Sequence, residues 1–232
     1  RQIMTPEAFH NALTVDMALG CSTNTVLHLP AIAHELGIDI DAQSFDRINR
    51  ETPYIVDVQP SGKYVTEMVW YAGGVPRVQI ELADILDLDV MTVTGHTLGE
   101  NLDRLKTEGF FQRCEGYLAN YRLKREDVIR RVGDNKGFGS IAVLKGNIAP
   151  EGAVVKFSAV GSDMLTHEGP ARVFDREEAA LDAVMNGSIE PGSVIVLRYE
   201  GPRGSGMPEM LATTEALVTN HKLQHTAIVT DG

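Results

Sequence analysis

Thiols are scarce in this chain. Cys21 and Cys114 are its only cysteines in 232 residues, and they lie far apart. No C-x-x-C pair exists, which argues against a zinc ribbon or a dithiol redox centre and in favour of a reducing, cytoplasmic home. No apolar run approaches the roughly 18 residues of a membrane span, and the N-terminus carries no signal-peptide pattern. Basic clustering is missing too. The densest patch, Arg122, Lys124, Arg125, Arg130 and Arg131, is diluted by acids in a chain of net charge −11, so neither a nucleic-acid groove nor an anionic membrane surface is expected as partner. None of the seven histidines stands in an H-E-x-x-H or comparable ligand spacing. The run Gly133-Asp-Asn-Lys-Gly-Phe-Gly139 lacks the phosphate-loop pattern and is not set in a strand-turn-helix unit with a later acid, so a nucleotide site is rejected.

What is present is ordinary for a globular chain. With 43% hydrophobic and 23% charged residues it suits one large or two small domains. Residues 1–106 read as helix-rich. Thr5-Pro6-Glu7 is a helix start, and Phe9, Leu13 and Met17 form one apolar stripe closed by Gly20. A second helix runs through Val26, Leu29, Ile32 and Leu36, with Pro30 predicting a kink or a later start. Asp41 caps a third through Phe45 and Ile48, Tyr54–Val58 reads as a strand, and Ser61 and Pro76 open two more helices. Residues 107–126, polar and mixed, are the expected linker. Residues 127–232 read as short strands at 140–144, 153–157, 171–174, 193–199 and 226–230, with one helix at 176–185. Gly/Pro turns between them predict a β-rich domain that closes as a barrel.

Two places have the residue types for chemistry. Ser22, Thr23 and Asn24 sit between two helices, where small polar side chains and free N–H groups suit a carboxylate or phosphate, although Ser and Asn are equally ordinary caps. Cys21 beside them reads as a structural thiol, since spacing identifies no base for it. The run Glu200-Gly-Pro-Arg-Gly-Ser-Gly-Met-Pro-Glu-Met210 is an irregular loop off a strand end. Its glycines allow close approach of a ligand, and Glu209 offers a carboxylate suited to a hard cation; a tight turn with a solvated Glu is the plainer reading.

Six runs in order resemble the dihydroxy-acid dehydratase / phosphogluconate dehydratase family. They are Gly20-Cys-Ser-Thr-Asn-Thr-Val-Leu-His-Leu29, Pro60-Ser-Gly-Lys-Tyr64, Thr92-Val-Thr-Gly-His-Thr-Leu98, Gly146-Asn-Ile-Ala-Pro-Glu-Gly-Ala-Val-Val-Lys156, Gly169-Pro-Ala-Arg-Val-Phe174 and Tyr199 to Met210. The resemblance implies a hydro-lyase that converts a 2,3-dihydroxy acid to a 2-keto acid, with an iron–sulfur cluster (2Fe–2S) acting on the 3-hydroxyl, Mg²⁺ gripping the carboxylate and 2-hydroxyl, and a serine alkoxide taking the C2 proton. Metals at both ends ease both difficulties, a weakly acidic proton and a poor leaving group. It also implies a homodimer, and an N-terminal α/β domain followed by a C-terminal β-barrel-like domain. Residues 1–106 and 127–232 would then be the helix-rich end of the first and most of the second. The family's Mg²⁺-binding glutamate falls on Glu209, and Ser22, Thr23 and Asn24 are the expected substrate-binding residues.

The departures from the family's pattern also carry information. Its cluster cysteines, carbamylated lysine and remaining Mg²⁺ acids would precede Arg1, and its serine would follow Gly232, so no catalytic residue is expected within the chain. Cys21 stands where relatives carry Gly and is not expected to bind the cluster. The opening at Arg1 without an initiator Met, and the close on a strand running into a loop, predict a fragment of a longer polypeptide, inactive alone. The loop Gly204-Ser-Gly-Met207 is one residue shorter than the common Gly-Gly-Pro-Gly-Met, which leaves branched-chain precursors and sugar acids both open as substrates. A non-catalytic assembly module is the alternative of a different class.

An α/β domain cut from its sheet should expose the apolar faces of helices 5–19 and 25–36. Residues 1–106 alone are therefore expected to be poorly ordered or self-associating. Strong amide-exchange protection throughout that region in a monomer would contradict this.

Overall fold

Helices α1 (Pro6–Leu19), α2 (Thr25–His34) and α3 (Ala42–Glu51) open a computed structural model that describes residues 2–134 and 139–232. The centre of the Gly133–Gly139 run lies outside the described residues. The chain divides into two compact units, Arg1–Val160 and Gly161–Gly232.

The first unit is built on α1. Thr5 caps it by accepting from Ala8 N at 3.3 Å, Pro6 fills the first turn, and Gly20 ends it at φ 70°. A Cβ at Gly20 would lie 2.7 Å from the Tyr54 ring. The predicted stripe of Phe9, Leu13 and Met17 is buried. Leu13 and Met17 pack with Phe45 and Ile48 of α3 and with Ile141. The expectation that α1 lacks cover is thus not met. Helix α2 is covered in part: Ala33 is buried and Val26 and Leu29 pack against the same cluster, while Leu27 and Ile32 are exposed. Helix α2 starts before Pro30 and runs through it, forgoing the hydrogen bond that Pro30 has no N–H to make.

The rest of this unit differs from expectation in three ways. Tyr54–Val58 is extended but forms only isolated bridges, Val56 to Ile129 and Val58 to Tyr64. Tyr64 N and Gly62 N bond back to Asp57 O and Val58 O, so the chain turns there and α4 (Glu67–Tyr71) begins well after Ser61. Next come α5 (Gly74–Glu81), α6 (Leu98–Thr107), α7 (Phe110–Ala119) and α8 (Arg125–Val128). The stretch 107–126, expected to be a linker, carries α7. Its Phe111, Cys114 and Leu118 are buried at helical spacing, and Arg77 pairs with Glu115 at 2.8 Å. Strands β1 (Ala142–Leu144) and β2 (Ala153–Val155) pair antiparallel at the end of this unit.

The second unit is an α/β sandwich of two layers. Strands β3 (Ala171–Phe174), β4 (Val194–Leu197) and β5 (Ala227–Thr230) form one parallel sheet in the order β3-β4-β5. Parallel neighbours need crossovers, supplied here by α9 (Glu177–Met185) and α10 (Leu211–Thr219). Ile195 and Leu197 of β4 pack under Ala180, Ala183 and Val184 of α9 and Leu217 of α10.

This corrects the barrel expectation. Among the described residues the strands fall into two small open sheets, one in each unit, and none closes. Gly/Pro turns, and a helix α10 that starts without a side-chain cap, make this stretch read as a run of barrel strands. With α10 in place, β4 and β5 have the helical connection that parallel pairing requires.

Ile195→Ala should cost about 2–5 kcal/mol by opening a cavity under α9. Val229→Ala, on the exposed side of β5, should cost less than about 1 kcal/mol. Urea unfolding of the two variants measures the contrast.

Candidate functional site

The corner between α1 and α2 holds the first set of expected residues. Ser22 Oγ accepts from Asn24 N at 3.2 Å, Ser22 O from Thr25 N at 3.1 Å, and Thr23 O from Val26 N at 3.1 Å. The N–H groups of Asn24, Thr25 and Val26 are therefore engaged within the turn. Side-chain donors are freer. Ser22 and Asn24 are exposed, and among the described residues the Thr23 hydroxyl and Asn24 amide have no hydrogen-bond partner.

Beneath this turn lies Asp16, 4% exposed. Thr25 Oγ1 donates to its Oδ2 at 2.7 Å, and Oδ1 is buried without a partner among the described residues. Burial raises the Asp16 carboxyl above its usual range, against the hydrogen bond from Thr25 and the charge of Lys156. Burial also pushes the neighbouring Cys21 thiol up to about 12, with the charge of Asp16 adding to it and Lys156 opposing. Cys21 is thus a protonated thiol at neutral pH and a poor nucleophile.

The second place is the loop after β4. It lies at the carboxyl ends of the parallel strands, where open α/β sheets present ligand sites. Arg198 bridges to Asp175, past the end of β3, at 2.6 Å. Tyr199 and Met207 both adopt left-handed backbone, at φ 67° and 57°. A Cβ at Gly204 would stand 1.9 Å from Tyr199 O, and one at Gly201 2.6 Å from Asp231 O, so both positions demand glycine. Tyr199, Gly201, Pro202, Arg203, Gly204 and Asp231 line a cavity of about 380 Å³.

Glu200 holds this loop from within and is 5% exposed. Its Oε1 accepts from Glu177 N, the first residue of α9, at 2.7 Å, and its Oε2 accepts from the Ser205 hydroxyl. The residue at the N-cap of α9, Arg176, makes no side-chain cap. A carboxylate 23 residues away in sequence caps the helix instead, at the positive end of its dipole. Glu200 N donates to Asp231 Oδ1 at 3.0 Å, and Met207 N to Glu200 O at 2.9 Å. Sequence reasoning missed Glu200, Glu177, Ser205 and Asp231. No local spacing announces them, since their partners are brought close only by the sheet.

Glu209 is exposed near the end of the loop, and among the described residues its carboxylate has no hydrogen-bond or ion-pair partner. A free hard oxygen donor suits one position of a Mg²⁺ shell. Among the described residues no three His, Cys, Asp or Glu side chains group to hold a metal, so Glu209 is a single ligand here and not a complete site. An iron–sulfur cluster does not fit the thiols present. Clusters are held by sets of thiolates, whereas the chain has two cysteines, Cys21 and Cys114, and neither belongs to a group of three ligand side chains among the described residues.

Two family models match the chain, "Dihydroxy-acid/6-phosphogluconate dehydratase N-terminal" over residues 1–101 and the corresponding "C-terminal" over residues 127–232. The chain is 49% identical over 234 residues to a dihydroxy-acid dehydratase of Halothermothrix orenii, covering 99% of this chain and 40% of the relative. It is 50% identical to one of Caldanaerobacter subterraneus subsp. tengcongensis, covering 100% of this chain and 39% of that protein. It is 44% identical to dihydroxy-acid dehydratase 1 of Methanosarcina acetivorans, again covering 100% of this chain and 40% of the relative. The chain therefore spans about 40% of the length of the curated relatives it matches.

The Asp16 and Cys21 pair yields a chemical prediction. Iodoacetamide at pH 8 should modify Cys21 at least roughly 100-fold more slowly than free cysteine, because almost none of it is thiolate. Asp16→Asn should speed the reaction by removing the adjacent negative charge. Peptide mapping of the alkylated protein reads both.

Proposed function

Because this chain belongs to the dihydroxy-acid/6-phosphogluconate dehydratase family, we propose that it is part of a hydro-lyase dehydrating a 2,3-dihydroxy acid to a 2-keto acid. Loss of the C2 proton and the C3 hydroxide leaves an enol, which tautomerises to the keto acid. The observation that carries this reading is the 44–50% identity, over essentially the whole chain, to proteins named dihydroxy-acid dehydratase. A branched-chain precursor is the substrate proposed, with a sugar acid as the alternative within the same family. A soluble homodimer in the cytoplasm completes the proposal; no described helix is long and apolar enough to cross a membrane.

Within the chain, each place has its own task. Glu209 contributes one carboxylate to Mg²⁺, and the bound ion supplies positive charge for the substrate's carboxylate and 2-hydroxyl. Further ligands come from the rest of the protein. Ser22, Thr23 and Asn24 offer side-chain donors to the polar groups of a hydroxy acid. Asp16, below them, orients Thr25 and so fixes the turn that presents those donors. The residues present do not hold the iron–sulfur cluster.

The test uses the full-length protein, prepared anaerobically with Mg²⁺ and assayed on 2,3-dihydroxyisovalerate and a panel of sugar acids. Turnover of dihydroxyisovalerate, reduced at least about 100-fold in Glu209→Gln, is expected. Turnover of sugar acids alone would move the substrate to the other branch of the family. Full activity in the variant would show that Glu209 is a turn residue.

A further inference from the structure

The loop between β4 and α10 is attached at both ends to one residue of α9. At its start, Glu200 accepts from the backbone N–H of Glu177 at 2.7 Å. At its end, the carboxylate of Glu177 accepts from Thr213 N, in the first turn of α10, at 3.0 Å. Ser205, midway along, donates to the other oxygen of Glu200. Met207, two residues before Glu209, is held in left-handed backbone by its N–H bond to Glu200 O. A non-glycine residue stays in that conformation only when its surroundings impose it.

We propose that Glu200 and Glu177 form a clamp that positions Glu209, making Glu200 a positioning residue for divalent-cation binding. This inference rests on the reading of Glu209 as a Mg²⁺ ligand. Glu200 is unsuited to be the ligand itself: both its oxygens are engaged by donors, and it is buried. Glu209 has the opposite character, exposed and unpaired among the described residues. The buried carboxylate sets the backbone, and the exposed one meets the ion. Groups that orient a ligand in this way commonly change metal affinity when removed, by about 10–100-fold.

The test measures Mn²⁺ as a spin probe for the Mg²⁺ site, by electron paramagnetic resonance titration of the full-length protein. Glu209→Gln should weaken Mn²⁺ binding by more than about 100-fold. Glu200→Ala should weaken it by about 10–100-fold. Glu200→Gln should stay within about threefold of wild type, because its amide oxygen can still accept from Glu177 N and its NH₂ can donate to Ser205 Oγ. Ser205→Ala, which removes one of the two donors to the Glu200 carboxylate at an otherwise exposed residue and should leave the fold intact, is expected to weaken binding by about 3–10-fold. It decides the matter if Glu200→Ala does not fold. Loss of binding in Glu209→Gln with wild-type affinity in Glu200→Ala, or in Ser205→Ala if Glu200→Ala does not fold, would overturn the clamp and leave the ligand reading standing. Equal losses in Glu200→Gln and Glu200→Ala would also overturn it, since the charge and not the hydrogen bonds would then matter. Wild-type affinity in Glu209→Gln would overturn the ligand reading and the clamp with it.

Discussion

The second unit depends on one buried carboxylate. Glu200 leaves the end of β4, turns inward and accepts from the first N–H of α9. Helix N-termini leave four N–H groups unpaired, and a negative charge there is favoured by the dipole. The helix itself supplies no side-chain cap at Arg176. One interaction therefore meets two needs: it caps a helix and anchors an irregular loop that has no ladder of its own. Asp231 continues the pattern from β5 by taking Glu200 N. The ends of two adjacent strands are thereby tied together at the place where the sheet offers a site.

The first unit is organised around a different buried acid. Asp16 lies on the inner side of α1, one turn before the Gly20 that ends the helix. Burying a carboxylate with one oxygen unpaired is unfavourable, and burial leads the upward shift of the Asp16 carboxyl. The return is geometric. Thr25 is bound to Asp16, so the start of α2 is set against the end of α1, and the turn from Ser22 to Asn24 is held between them. Ser22 and Asn24 are exposed on a turn in which the N–H groups of Asn24, Thr25 and Val26 are paired.

Much of the secondary structure was legible locally. Thr5, Pro6 and Gly20 bracket α1 by cap chemistry, Asp41 starts α3, and the apolar run Ser193–Tyr199 contains β4. Helices α6 and α10 were not. The start of α6 carries one local mark, the capping box of Thr97 with Glu100. Helix α10 opens on Leu211 after a loop, without a side-chain cap of its own, and its first turn is held by Glu177 from another helix. The stretch around α7 looked polar because only one face, Phe111, Cys114 and Leu118, meets the core.

By itself the sequence determined the family, the helices and strands with strong local punctuation, and the place of the loop that carries Glu209. Each of these depends on residues a few positions apart, through caps, periodicity and backbone preferences, or on motifs in order. Tertiary structure alone decided how the strands group. It set β1 and β2 apart as an antiparallel pair, made β3, β4 and β5 an open parallel sheet, and brought Glu200 to Glu177 and Asp231. Those partners lie 23 and 31 residues apart. Their meeting follows from two helical crossovers packing on one face of a sheet, a constraint that acts between elements and leaves no mark in any short stretch of chain.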